Sequence, residues 1–164
     1  TIGGFDPDYF AHQEEIDFCW RVHKAGYKIS AIPSSVVYHV GGGTLNYGNS
    51  QKVYLNFRNS LFNIFKNETL FNLMWKVPMR LLLDGVAGVK FLLQGQAKST
   101  IAIIRAHFSF YSKIFTLIKK RRDIKNIIKK NAFGKPNKSG MTSKFIIFQY
   151  YLFGKKKYSD IFKS

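Results

Sequence analysis

The residues best suited to chemistry lie near the start of the chain, where acidic side chains are crowded together. The sequence of 164 residues has only nine Asp and Glu residues, against 26 Lys and Arg residues. Five of the nine acids fall close together, namely Asp6, Asp8, Glu14, Glu15 and Asp17. Carboxylates this close together in a basic protein indicate a functional site rather than a solvated face.

The elements that must position these acids are a turn and a helix. Gly3 and Gly4 predict a turn followed by a loop. Apolar residues at helical spacing predict a helix over residues 14–25, which ends at a glycine. The acids then occupy its first turn, where the helix dipole favours negative charge. Asp17 and Arg21 are four residues apart and can pair along one face.

The rest of the chain changes character after residue 50. Residues 28–40 predict two short strands separated by Pro33, and residues 41–50 predict a glycine-rich loop. Apolar residues at helical spacing then predict three helices, over residues 51–67, 70–93 and 99–120. A polar basic stretch follows at 119–138, and a last apolar segment at 145–153.

Charge divides the chain into two parts. Residues 1–65 carry five Lys and Arg against five acids, whereas residues 66–164 carry the other twenty-one against four, so the whole excess of +17 lies in the second part. This asymmetry predicts an anionic partner, either a membrane or a nucleic acid. Cations interrupt every candidate span between residues 70 and 118, so we expect interfacial helices rather than transmembrane ones. The alternative is a helical bundle with a solvated basic face.

Two further features concern the compartment and the extent of the chain. The single cysteine, Cys19, excludes an internal disulfide framework and fits a reducing compartment. The chain opens at Thr1, without Met, directly into a motif. We therefore expect it to be the C-terminal piece of a longer protein.

Four short motifs together resemble one family. They are Gly-Gly-Phe-Asp at 3–6, Glu-Glu-Ile-Asp-Phe-Cys-Trp-Arg at 14–21, Ala-Gly-Tyr-Lys at 25–28 and Pro-Ser-Ser-Val-Val-Tyr-His at 33–39. The combination resembles the inverting family 2 glycosyltransferases, especially their bacterial rhamnosyltransferase-like members. The resemblance implies an α/β fold class. Residues 1–67 would be the C-terminal part of a catalytic domain with the GT-A fold, and residues 68–164 a basic, mainly α-helical, membrane-associated region.

The resemblance also implies which residues do the chemistry. The second residue of the acidic pair, Glu15, corresponds to the general base that removes a proton from the acceptor hydroxyl as it attacks the sugar. The family usually has the shorter Asp at this position, so Glu14 is a rival candidate. Asp17 is the third catalytic candidate, with an orienting role beside Arg21. The alternative is that the two glutamates only cap the helix.

A substrate-binding set and a metal ligand are implied as well. Thr44 ends a glycine run expected to offer backbone N–H groups to a pyrophosphate, and Phe5 is suited to stack on a sugar ring. His39 is implied as one ligand of Mn²⁺ or Mg²⁺, which would neutralise the leaving group and whose main ligands are expected upstream of Thr1. A structural turn and a structural histidine are the alternatives. The substrate-binding set is Gly3, Gly4, Phe5, Asp6, Arg21 and Thr44.

Two functions are therefore expected from the sequence. The first is sugar transfer from a nucleotide-diphosphate donor to a hydroxyl of a lipid-linked cell-surface glycan, by a peripheral enzyme at the cytoplasmic face of the bacterial inner membrane. This chain alone is expected to be inactive. The alternative is a non-catalytic basic helical module that binds anionic membrane or nucleic acid. Nucleic acid is the less favoured partner, because the basic part has no reading motif and its aromatic residues follow helical faces.

Overall fold

The chain folds into helices connected by turns and loops. The computed structural model describes residues 2–38, 49–137, 146–151 and 153–161. A 3₁₀ turn, Pro7–Tyr9, precedes the first α-helix. The α-helices are α1 (Glu14–Lys24), α2 (Ser50–Asn67), α3 (Leu70–Leu93), α4 (Ala97–Ser112), α5 (Ile114–Asn131), α6 (Ile146–Tyr151) and α7 (Tyr158–Ile161).

The α/β fold class, and with it the GT-A assignment, is wrong, because the described residues form helices and turns but no strand. A strand needs a neighbour that pairs its N–H and C=O groups, and the described residues offer none to the predicted strand region. There the side chains face solvent, and Val37 is 83% exposed. Ser35 N donates instead to Ile32 O across a turn at Pro33.

The helices predicted at 14–25, 51–67 and 70–93 are confirmed to within one residue at each end. The single helix predicted over 99–120 is wrong in extent. It ends at Ser112, and α5 then departs at an angle of 64°. At the junction Lys113 has ψ near 7° and its N–H donates to Phe110 O, which breaks the α-helical pattern.

The core lies where α2, α4 and α5 meet the 3₁₀ turn. Tyr9, Leu61, Phe62, Phe110 and Leu117 form it, and each is at most 2% exposed. The rings of Tyr9 and Phe62 meet edge to face, with centroids 6.1 Å apart. Helices from the basic part of the chain therefore hold the acidic N-terminal segment in place. The domain boundary after residue 67 remains a prediction.

Helix α3 packs one side on α4 and leaves the other open to solvent. On the packed side Asp84 is buried. Its Oδ1 forms an ion pair with Arg80 Nε at 2.8 Å, and its Oδ2 lies 3.1 Å from His107 Nε2. Thr100 Oγ1 donates to Gly88 O at 2.9 Å, where the two helices approach closely. Among the described helices none is by itself long and apolar enough to cross a membrane, and only α4 and α5 taken together across their bend meet that measure.

Candidate active site

The backbone between the 3₁₀ turn and α1 adopts an unusual conformation. Phe10, His12 and Gln13 have φ values of 65°, 69° and 69°. Phe10 is the centre of a γ-turn closed by a hydrogen bond of 2.8 Å from Ala11 N to Tyr9 O. Such conformations cost roughly 1–3 kcal/mol each in residues other than glycine and concentrate at functional sites. We call residues 10–13 the strained loop.

Helix α2 holds the strained loop through side-chain hydrogen bonds to its backbone. Asn59 is fully buried, and its Nδ2 donates to the carbonyls of Tyr9, Ala11 and His12 at 2.7–3.1 Å. Arg58 Nη2 also donates to Tyr9 O, at 2.9 Å. These bonds satisfy buried carbonyls that would otherwise each cost about 1–3 kcal/mol. They offset part of the strain.

The strained loop delivers Glu14 and Glu15 to the first turn of α1. Gln13 lies just before them, and its Nε2 donates to Asn56 O and Ser60 Oγ of α2, both at 3.0 Å. Glu15 is exposed, whereas Glu14 is half-buried and its Oε2 is buried without a hydrogen-bond partner. Among the described residues neither carboxylate takes part in an ion pair. Glu15 is therefore available to an external group, whereas the unpartnered oxygen of Glu14 is shielded from solvent.

A cavity of about 290 Å³ runs along α1 beside Glu15. Its other walls are Ile16, Cys19, Trp20 and His23. The Trp20 ring is a flat apolar surface suited to a sugar, and His23 Nδ1 is buried without a partner in the described structure. Neither Trp20 nor His23 is among the site residues predicted from the sequence. The spacing of Glu15, Cys19 and His23 by four residues is the signal that places them together.

Behind the strained loop lies a largely buried ionic network of three acids, Asp6, Asp8 and Asp17, and three cations, Arg21, Lys66 and Lys120. Lys66 Nζ lies 2.8 Å from Asp6 Oδ2 and 2.9 Å from Asp17 Oδ1. Arg21 Nε donates to Asp17 Oδ2 at 2.9 Å, which confirms the predicted pair. Lys120 Nζ from α5 reaches Asp6 Oδ1 at 2.5 Å. Asp17 is enclosed by these partners, so its role is structural: it fixes the position of α1.

The structure also brings the predicted glycine turn onto α1. Arg21 Nη1 donates to Ile2 O at 2.7 Å, and Nη2 donates to Gly4 O at 2.8 Å. Gly3 has φ of 75°, a value that favours glycine, whereas Gly4 has open space around it. Phe5 is 63% exposed and its ring remains accessible. The Arg21 guanidinium is thus occupied by the turn and positions it.

Two predicted residues, His39 and Thr44, lie outside the described residues. Within the described ranges, no three His, Cys, Asp or Glu side chains are grouped so that they hold a metal ion. Asp6 and Asp8, which have the spacing of an Asp-x-Asp motif, both pair with Lys120. The described residues therefore do not by themselves fit the expected Mn²⁺ or Mg²⁺, and the chemistry below is derived without a metal step.

The ionic network predicts an acid-sensitive contribution to stability. Burial raises the pKa of Asp6, but hydrogen bonds from Lys120 and Lys66 outweigh it and lower that pKa from 3.8 to about 2. An unfolded Asp titrates near pH ~3.9. The folded pKa is the lower one, so the contribution is complete above about pH 4 and is lost as the pH falls through about 2.

We expect Asp6→Asn to reduce the loss of unfolding free energy between pH 5 and pH 2 by about 1–2 kcal/mol, after allowance for solvent screening. Urea denaturation at both pH values measures this difference. Asp123→Asn is the control, since Asp123 is exposed and has no ion pair among the described residues. An equal acid response of the two variants would contradict the assignment.

The site thus presents Glu15, a carboxylate without an ion pair among the described residues, on a backbone fixed by α2 and beside an open cavity. A carboxylate in this setting can accept a proton from a hydroxyl group bound in the cavity. Comparison of the chain with protein-family models, curated proteins and solved structures gave no match. This geometry and the motifs in the sequence are therefore the features that indicate a function.

Proposed function

We propose that this chain forms the acceptor side of an inverting glycosyltransferase. The enzyme would move a sugar from a nucleotide-diphosphate donor to a hydroxyl of a lipid-linked cell-surface glycan. The observation that carries the proposal is Glu15, which takes part in no ion pair among the described residues and lines a cavity directly after the strained loop. The motif resemblance supplies the reaction class.

In the proposed reaction Glu15 is the general base. It accepts the proton of the acceptor hydroxyl while the hydroxyl oxygen bonds to the anomeric carbon of the donor. The bond from that carbon to the nucleotide diphosphate breaks, and the diphosphate leaves with the electron pair. Because attack and departure occur on opposite faces, the anomeric configuration inverts. Asp17, Arg21 and Lys66 act as positioning residues that fix α1.

The test is a transfer assay on the full-length protein that contains this chain. A panel of nucleotide-diphosphate sugars is incubated with a lipid-linked acceptor, and release of the nucleoside diphosphate is followed. We expect release that depends on the acceptor, and a product whose anomeric configuration by NMR is opposite to that of the donor. Retention of configuration, or no transfer from any donor, would overturn the proposal.

A second candidate function, membrane binding without catalysis, is favoured by the outer side of α3. Apolar side chains are exposed along the whole helix, and Phe71, Leu82 and Leu93 are 78%, 64% and 85% exposed. At 1.5 Å per residue the row is about 33 Å long, and so large an exposed apolar surface marks an interaction site. We call this row the α3 apolar stripe; it consists of Phe71, Trp75, Pro78, Leu82, Val86, Val89 and Leu93.

Cations near the α3 apolar stripe favour an anionic membrane as its partner. Lys90 on α3 itself and Lys98 at the start of α4 are exposed and have no ion pair among the described residues. Each cation near an anionic leaflet contributes about 1 kcal/mol. We propose that the protein lies on the cytoplasmic face of the bacterial inner membrane, with nucleic acid not expected as a partner. This placement also serves catalysis, because it concentrates the enzyme near a lipid-linked acceptor.

The membrane proposal predicts the behaviour of a double variant. Leu82→Gln with Val86→Gln is expected to weaken partitioning onto anionic vesicles by about tenfold or more, because two side chains no longer transfer into an apolar phase. Cosedimentation with vesicles measures the effect. Val37→Gln is the control, since Val37 is an apolar residue outside α3 that is even more exposed than Leu82 and Val86. The same partitioning for the double variant and the unchanged protein would refute this surface.

A further inference from the structure

A second cavity of about 470 Å³ lies where the C-terminal ends of α1 and α2 meet α5. Lys24 from α1, together with Arg121 and Lys125 from α5, brings positive charge to its lining. Leu70 and Ile124 form part of its apolar wall. The strained loop and the Glu15 cavity do not share these residues, so this is a separate site.

The three cations have no carboxylate partner among the described residues. Lys24 Nζ has a single long hydrogen bond there, of 3.4 Å to Asn67 Oδ1, and lies 5.9 Å from the centre of the Trp20 ring. Arg121 Nη1 donates to Phe65 O at 2.6 Å, a backbone carbonyl near the end of α2. Neither contact neutralises a charge.

The other charged residues at the cavity are already neutralised. Lys66 belongs to the ionic network described above. Glu68 forms an ion pair with Lys76 and accepts a hydrogen bond from Asn72 Nδ2 at 2.8 Å. The charge of Glu68 also acts on Lys24 and Arg121, but this single carboxylate is shared with Lys76. The three cations of α1 and α5 therefore remain in excess.

We propose that this cavity binds a phosphate or diphosphate group. Ammonium and guanidinium groups form strong charge-assisted hydrogen bonds to phosphate oxygens. Thr69, the N-cap of α3, also lines the cavity, so the positive end of that helix dipole borders it. The apolar wall suits a hydrocarbon portion of the same ligand. The inference does not depend on the proposed sugar transfer.

The protonation of Lys24 supports the same conclusion. Burial, followed by the charge of Arg121, lowers the pKa of Lys24 from 10.5 to about 8. The ammonium is therefore held where the folded chain supplies too little negative charge. A bound phosphate would supply it and would favour the charged form of the lysine.

The ligand can be a free anion or the head of a lipid. Leu70 lines the cavity, is exposed and directly precedes Phe71, the first residue of the α3 apolar stripe. The cavity thus borders the surface proposed to contact the membrane. Inorganic pyrophosphate is the soluble probe. Vesicles with phosphatidic acid, compared with vesicles of equal charge made with phosphatidylglycerol, are the lipid probe.

The decisive variant is Lys125→Gln, because Lys125 is exposed on α5 and its loss leaves the fold intact. We expect calorimetry to show pyrophosphate binding that this variant weakens about tenfold. Lys129→Gln is the matched control, one turn further along α5, equally exposed and outside the cavity. Lys24→Met, which keeps the apolar stem of the lysine, is expected to show a loss like that of Lys125→Gln.

The two probes separate the sources of the phosphate. A lipid ligand would be supported if the protein binds vesicles with phosphatidic acid better than vesicles with phosphatidylglycerol, and if Lys125→Gln abolishes this preference. A Lys125-dependent response to pyrophosphate alone would support a soluble one. Binding of neither probe, or equal effects of Lys125→Gln and Lys129→Gln, would overturn the proposal.

Discussion

Replacement of Lys66 by methionine is expected to lower the free energy of unfolding by about 3–5 kcal/mol, the usual cost of removing one partner from a buried ion pair. The Lys66 ammonium is almost fully buried and lies between Asp6 and Asp17. Methionine fills much of the space of the lysine stem but leaves both carboxylates short of a counter-charge. Arg21 still pairs with Asp17, and Lys120 still pairs with Asp6 and Asp8, so the helices are expected to remain folded.

The measurement is urea denaturation followed by the circular dichroism of the helices. Lys119→Met is the matched control, since Lys119 is exposed on α5 and has no ion pair among the described residues. Adding Asp6→Asn to Lys66→Met should recover part of the lost stability, because it removes one of the two affected carboxylates. Equal stabilities of Lys66→Met and Lys119→Met would show that the network contributes nothing.

Glu15→Gln is expected to lower the rate of sugar transfer by about 10²–10⁴-fold, the usual contribution of a general base. The amide keeps the size of the side chain but cannot accept the proton. Glu15 is exposed and has no internal partner among the described residues, so the variant should unfold at the same urea concentration as the parent. The measurement is kcat of the full-length enzyme with a saturating donor, and it depends on the proposed function.

Glu14→Gln is the matched variant, since it changes the neighbouring residue in the same way. We expect it to lower the rate less than tenfold, because Glu14 is half-buried and does not line the cavity. The pH dependence of the rate adds a second readout, since loss of the base removes the acidic limb of the profile. The reverse order of the two variants would assign the base to Glu14.

The helices could be predicted because their signals are local. Apolar spacing places α2 and α3 correctly, and the 14–25 helix ends next to Gly26 as predicted. The prediction of two strands over residues 28–40 was wrong because a pattern of apolar residues does not show whether a partner strand exists. The break at Lys113 could not be predicted, because the apolar spacing continues across it from Phe110 to Leu117. Both of these residues remain in the core.

The site could be predicted only in part. Asp17 and Arg21 are one helical turn apart, so their pairing follows from spacing alone. The partners of Asp6 lie 60 and 114 residues away and carry no local signal. The positive φ values fall on residues other than glycine, where sequence gives no warning. A usable signal was missed in α2: asparagines recur every three or four residues along one face, at Asn56, Asn59, Asn63 and Asn67.

The separation of 114 residues between Asp6 and Lys120 has a consequence for synthesis on the ribosome. At about 5–20 residues per second, Lys120 is made roughly 6–23 s after Asp6. The asparagines of α2 appear earlier and can fold the strained loop first. Until α5 emerges, Asp6 lacks one of its two cations on the nascent chain. The segment that carries Glu14 and Glu15 is therefore translated well before the helix that completes its ionic network.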